Sequence, residues 1–191
     1  MELILASGSP RRRELLSVIT ADFSVVVSDA EETIGPGTPP HRAVEELALQ
    51  KALAVFEAHG DCAVIGSDTV VALDGRILGK PGSREEAAEM LGTLSGREHT
   101  VFTGVAVLAP GVRRVFHCAT QVEFYPLSGE EIAWYVSTGE PMDKAGAYGI
   151  QGQGSLLVKG IRGDYFNVMG FPVAEVWRHL VALGILPPQN S

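Results

Sequence analysis

Short apolar runs that fit only strands alternate along this chain with longer amphipathic segments, and twice a turn signal joins two apolar runs directly. Leu3–Ala6, Phe23–Val27, Cys62–Ile65 and Thr69–Leu73 read as strands, with helices from near Pro10 and from Pro40 to about His59 between them. Asp74-Gly75 turns the fourth run back into Arg76–Leu78, and Ala109-Pro110-Gly111 joins two long strands, His99–Leu108 and Val112–Phe124. Alternation broken by hairpins predicts an α/β, or mixed α+β, domain on one mixed twisted sheet with flanking helices. Capping-box patterns at Ser83/Glu86 and Ser128/Glu131 open two more helices, the first with the apolar stripe Ala87, Met90, Leu91 and Leu94. The second ends at Gly139, where a Gly-rich stretch runs to Gly154. A strand at Leu156–Ile161 and a helix from Pro172 to about Leu183, stopped by Gly184, complete the pattern. Glu31 to Pro40, polar and rich in Gly and Pro, reads as a loop that helps line a groove.

With 191 residues, 46% hydrophobic and 20% charged, residues 1–191 suit a single domain with a sizeable core. A formal net charge of −8 argues against a nucleic-acid or anionic-membrane binder, and confines any anion to a local cationic site. The apolar run Leu3–Ala6 is too short for a signal peptide and its arginines follow rather than precede it, so a cytoplasmic protein is expected. Cys62 and Cys118 lack a CxxC partner and read as buried thiols. The five histidines have no HxH or HExxH spacing, which argues against a histidine metal site.

The local cationic site is expected at Ser7-Gly8-Ser9-Pro10-Arg11-Arg12-Arg13. Ser9 suits an N-cap and Pro10 the first helical position. Three arginines then crowd the positive end of a helix dipole, at a cost of roughly 0.3–1 kcal/mol each. A phosphate at that end reverses the sign, since one charge-assisted hydrogen bond contributes roughly 1.5–3 kcal/mol. The plainer alternative is three solvated surface arginines. Neither a Walker A nor a GxGxxG pattern is present.

Four further groups carry chemistry. In Gly66-Ser67-Asp68-Thr69 a lone carboxylate follows an apolar run, as a general base, a Mg²⁺ ligand or a turn-capping Asp. Glu31 and Glu32 form either an acidic metal-binding loop or a solvated one. Lys51 falls inside the apolar stripe Val44, Leu47, Ala48, Ala52 and Val55, where it either snorkels outward or points into a groove that needs a cation. Lys80 sits in a tight loop, as a phosphate contact or a surface lysine. In the segment from Asp143 to Gly152 small residues permit close backbone approach, and the Gln151 amide suits a base edge, although a flexible glycine loop would look the same.

In order along the chain, Leu5-Ala6-Ser7-Gly8-Ser9-Pro10-Arg11-Arg12, Gly66-Ser67-Asp68-Thr69-Val70-Val71, Gly79-Lys80-Pro81, Leu94-Ser95-Gly96-Arg97, Glu140-Pro141-Met142-Asp143-Lys144-Ala145-Gly146, Ile150-Gln151-Gly152 and Gly163-Asp164-Tyr165-Phe166-Asn167-Val168-Met169-Gly170-Phe171-Pro172 resemble the Maf family of nucleoside triphosphate pyrophosphatases. The resemblance implies a fold like that of the inosine triphosphatases, with a groove between two lobes, and hydrolysis of a nucleoside triphosphate to monophosphate and pyrophosphate with Mg²⁺ or Mn²⁺. Dimers are common in the group, so a homodimer is within what it implies. It assigns Asp68 as general base, Glu31 and Asp68 as metal ligands, and Arg11, Arg12, Lys51 and Lys80 to the phosphates, with Ser7 completing the loop. Arg11, Thr69 and Gln151 match the branch that prefers dTTP and UTP rather than the one that acts on 7-methyl-GTP. A 7-methyl-GTP pyrophosphatase and a nucleotide-binding regulator of septation stand as the alternatives.

Overall fold

The computed structural model describes residues 1–187. Its seven strands, β1 (Leu3–Ala6), β2 (Ser24–Val25), β3 (Ala63–Leu73), β4 (Arg76–Leu78), β5 (Glu98–Ala109), β6 (Val112–Phe124) and β7 (Val158–Arg162), form one sheet in the order β2-β1-β3-β5-β6-β7, with β4 also paired to β3. β1 runs parallel to β2 and β3, and every other pairing is antiparallel, so the expected mixed sheet is present. The helices are α1 (Pro10–Ile19), α2 (Pro40–Phe56), α3 (Arg84–Leu94), α4 (Gly129–Ser137), the short α5 (Tyr165–Met169) and α6 (Val173–Ala182). Three 3₁₀ turns, Glu140–Asp143, Ala145–Ala147 and Gly152–Leu157, occupy the Gly-rich stretch and the residues just after it.

Strand alternation sorts the core into two faces. Even-numbered Val64, Ala106 and Leu108 pack on Ala48, Ala52 and Val55 of α2. Odd-numbered Ile65, Val105 and Val107 face Leu15 and Leu16 of α1 and Val176 and Leu180 of α6. Farther along the same face, Val71, Leu73 and Val101 meet Ala87 and Leu91 of α3 and Tyr135 of α4. Fully burying one of these Val or Leu side chains contributes roughly 1.5–3 kcal/mol.

Two differences from the sequence expectation matter for the site. Cys62–Ile65 and Thr69–Leu73 are not separate strands. β3 runs unbroken through Gly66-Ser67-Asp68, held in register with β5 from Val64 to Ala72. The small residue at position 66 serves helix packing: a Cβ there would lie 2.2 Å from the Ala48 carbonyl oxygen. Gly104 plays the same part on β5, where a Cβ would lie 2.1 Å from the Val44 carbonyl oxygen, so α2 lies close against both strands. The second difference concerns the cysteines, which are half-buried rather than buried. Cys62 precedes the first paired residue of β3, with its thiol 3.7 Å from a Glu2 carboxylate oxygen. Burial pushes the Cys118 thiol up to about 12, with Glu175 and Asp164 adding to the rise.

Candidate active site

β3 has a continuous neighbour on one side only. On the other, β1 pairs with it as far as Gly66 and β4 joins at Val71, so Ser67 to Val70 face an interval between two short strands. Both Asp68 and Thr69, on opposite faces of the strand, therefore open onto one cavity of about 470 Å³. The chain leaves the carboxyl end of β1 there and turns into α1, a frequent place for a ligand in open α/β sheets.

The first loop is built as expected. Ser9 caps α1 by accepting from the Arg12 N–H, Pro10 is the first helical residue, and the first turn holds no acidic side chain. Arg11 and Arg12 line the cavity, while Arg13 is exposed and is not among the lining residues. The Ser7 hydroxyl accepts from the Ser9 N–H at 3.2 Å and shapes the loop, whereas Ser9 is the serine that lines the cavity. The Arg12 guanidinium donates from Nε to the Gly170 carbonyl at 3.0 Å and from Nη2 to Thr69 Oγ1 at 3.1 Å. Burial lowers its pKa, opposed by the charges of Asp68 and Glu32.

Thr69 belongs to a relay of hydroxyls. Thr103 Oγ1 donates to the Asn167 carbonyl at 3.0 Å, so the 2.9 Å contact between the two threonines has Thr69 as donor. Asn167, fully buried, donates to the Val101 carbonyl and to Thr120 Oγ1 and fixes α5 on β5 and β6. Gly170 ends α5 at φ +110°, which presents its carbonyl to Arg12.

Opposite α1, Lys51 Nζ lies 2.5 Å from Asp68 Oδ1 and 3.1 Å from Glu32 Oε1. The Lys51 and Asp68 side chains are each 13% exposed. Helical phase put Lys51 within the stripe that α2 turns to the sheet, and the close approach at Gly66 and Gly104 carries it to β3. Glu31 was the carboxylate expected here. The structure turns its neighbour inward: Glu32 lines the cavity and Glu31, also exposed, does not. Residues 29–35 form no regular element, so no periodicity distinguished the two.

Further wall residues come from the loop between β4 and α3, which carries Lys80, and from the segment between α4 and β7. Lys80 and Gln151 line the cavity, with Asp143 and Lys144. Lys144 donates to Asp143 Oδ1 at 2.8 Å, and that hydrogen bond holds the Asp143 carboxyl below its usual range. Val71, Leu78, Val101, Tyr148, Ile150 and Val168 give the cavity an apolar lining. Tyr148 is backed by His99, whose Nε2 lies 2.7 Å from the phenolic oxygen. Tyr148 and Ile150, in the stretch read as a glycine-rich loop, are buried.

Cations, carboxylates, an apolar wall and an amide around one cavity match a molecule with an anionic chain and a flat heterocycle. Among the described residues no group of three or more His, Cys, Asp or Glu could hold a metal by itself, and no helix is long and apolar enough to cross a membrane.

The family model described as Maf-like protein matches residues 2–183. A Bacillus cereus (strain B4264) protein named dTTP/UTP pyrophosphatase is 52% identical over 179 residues, covering 94% of each chain. A Bacillus anthracis protein of the same name is 50% identical over 184 residues, covering 96% of each. Among solved structures, the Staphylococcus aureus Ham1 protein is similar over 65% of this chain and 72% of its own, with a TM-score of 0.49 and 23% identity.

Proposed function

The chain belongs to the Maf family, and on that premise we propose that it hydrolyses dTTP and UTP to the nucleoside monophosphate and pyrophosphate. The observation that carries this is the meeting of Asp68, Lys51 and the first-loop arginines in one cavity that Gln151 also lines. The activity is that of a nucleoside triphosphate diphosphatase, which we place in the cytoplasm as a nucleotide-pool enzyme.

Asp68 is the general base. Lys51 sits on Oδ1, and Oδ2 is the oxygen we assign to the attacking water. A carboxylate takes the water proton as the oxygen bonds to the α-phosphorus and the bond to the β-phosphate oxygen breaks. Arg11, Arg12, Lys51 and Lys80 oppose the charge that moves onto the leaving pyrophosphate. Arg12 is held by Gly170 and Thr69, so it meets that charge with little reorganisation. Ser7 keeps the loop amides aimed at the phosphates. Gln151, Arg11 and Thr69 select the base, and Tyr148 and Ile150 give it an apolar surface.

The acidic pair fits a divalent ion. Asp68 and Glu32 come from separate segments and converge on one ammonium, and hard carboxylate oxygens suit Mg²⁺ or Mn²⁺. Glu31, the ligand implied by the resemblance, is one residue from this pair and is the second candidate. With only two carboxylates, substrate phosphates and water complete the shell. When bound, such an ion polarises phosphate oxygens and holds them in place.

A product assay on a panel of triphosphates with Mg²⁺ or Mn²⁺ tests this. Pyrophosphate, not orthophosphate, is expected from dTTP and UTP. Asp68→Asn should lower kcat by about 10²-fold or more. Wild-type pyrophosphate release from Asp68→Asn would exclude Asp68 as the base.

A further inference from the structure

The loop that carries Gln151 is held at both ends by a pair of side chains outside the cavity, Glu140 and Tyr135. Glu140, in the 3₁₀ turn after α4, receives three hydrogen bonds on its carboxylate. Oε1 accepts from Tyr135 Oη at 3.0 Å and from the Gly154 N–H at 3.0 Å, and Oε2 accepts from the Gln153 N–H at 3.1 Å. Tyr135 Oη in turn accepts from the Gly149 N–H at 3.2 Å. Backbone amides on both sides of Gln151 thus end on a single Glu–Tyr pair. The neck is closed tightly, since a Cβ on Gly154 would lie 2.0 Å from the Gly149 carbonyl oxygen and 2.6 Å from Tyr135 Oη. Gly152, at φ +62°, passes so near that a Cβ there would lie 3.0 Å from Glu140 Oε2.

Hydrogen bonds to a charged acceptor are the stronger kind, and three on one carboxylate leave its orientation little freedom. Tyr135 is buried, and burial pushes its phenol well above the usual tyrosine range, so it stays a donor to Glu140. Gln151 itself is exposed at the loop tip, with no hydrogen bond of its own side chain among those of the described residues. Its aim therefore follows from the backbone that bears it.

We propose that Glu140 is the specificity-positioning residue of this enzyme: through Gln153, Gly154 and Tyr135 it fixes the 149–154 loop, and so sets how strictly Gln151 discriminates among bases without touching the nucleotide. This rests on the assignment of Gln151 to base selection. Glu140 is not among the residues that line the cavity, so its loss should blur the choice of base more than it slows turnover of the preferred one.

The test compares wild type, Glu140→Ala, Glu140→Gln, Gln151→Ala and the double variant, measuring kcat and KM for dTTP, UTP, dCTP and dGTP. Glu140→Ala should lower the kcat/KM ratio of dTTP over dCTP by about tenfold or more, mainly through KM, with kcat for dTTP within about threefold of wild type. Glu140→Gln keeps one acceptor oxygen and should restore part of the ratio. In the Gln151→Ala background the Glu140 change should add nothing further to the ratio. Unchanged discrimination in Gln151→Ala would remove the base-reading role of Gln151. Altered discrimination there beside an unchanged ratio in Glu140→Ala would remove only the clamp. Additive losses in the double variant would also refute it, since Glu140 would then act by another route. If Glu140→Ala does not fold, amide exchange on the wild-type enzyme decides: the Gln153 and Gly154 amides should be protected, and exchange at unprotected rates would overturn the proposal.

Discussion

Gly66→Ala should damage both stability and catalysis, through the helix rather than through the nucleotide. The added Cβ would sit 2.2 Å from the Ala48 carbonyl oxygen and 2.7 Å from the Ala52 nitrogen, where ordinary contact begins at 3.4 Å. Both are backbone atoms of α2, so no rotamer change relieves the clash, and the helix must withdraw by about 1 Å. Overpacking of this kind costs about 3 kcal/mol at its upper typical range. For a chain of this size that lowers Tm by about 6–12 °C. Ala48 and Ala52 flank Lys51, so the same withdrawal lengthens the 2.5 Å contact to Asp68. A misplacement of about 1 Å at a reacting centre costs about a hundredfold, and kcat should fall by that order. The assay pairs thermal melting with pyrophosphate release under saturating dTTP. Gly160→Ala is the control, because a Cβ at position 160 meets nothing within 4 Å. If Gly66→Ala melted and turned over like that control, the close approach of α2 would not be what sets Lys51 against Asp68.

Other changes separate the charges and the buried groups. Lys51→Met should lower kcat/KM by about 10²-fold or more, measured by pyrophosphate release, while removing the cation that the two carboxylates share. Glu32→Gln should raise the Mn²⁺ concentration needed for half-maximal activity more than Glu31→Gln does, and excess chelator should abolish turnover; the reverse order would return the metal role to Glu31. His99, 2% exposed, is held down to about 4 by burial. Because the unfolded chain binds that proton near pH 6.5 and the folded one does not, stability contributed by this site is full above 6.5 and is lost as pH falls toward 4. Urea unfolding at pH 7 and pH 5 should therefore show a larger difference in wild type than in His99→Gln.

How legible the molecule was depended on whether a residue belonged to a periodic element. The first loop was readable because Ser9, Pro10 and three arginines make a helix start that makes little sense without an anion. Lys51 was readable because helical phase survives into three dimensions when a helix lies flat on a sheet. The unbroken β3 was not, since Gly66 looked like a break while its function is to admit α2. Glu32 and Glu31 sit in a segment without period, so only the folded structure separates them. Glu140 stood only at the head of one segment of the family resemblance, with no role: two of its three partners are backbone N–H groups, a donor that every residue except proline presents.

The interval along β3 between Gly66 and Val71 bears on more than access. On the proposed function, a nucleotide bound there would take the place that a strand holds in an ordinary sheet, against α1, β3 and the 149–154 loop together. Occupancy and folding would then be linked equilibria, with the empty protein the less stable of the two states. Ligand at a hundred times its Kd adds about 2.7 kcal/mol to a fold that binds it, so the occupied fraction of the protein also sets how much of it is open to unfolding and proteolysis.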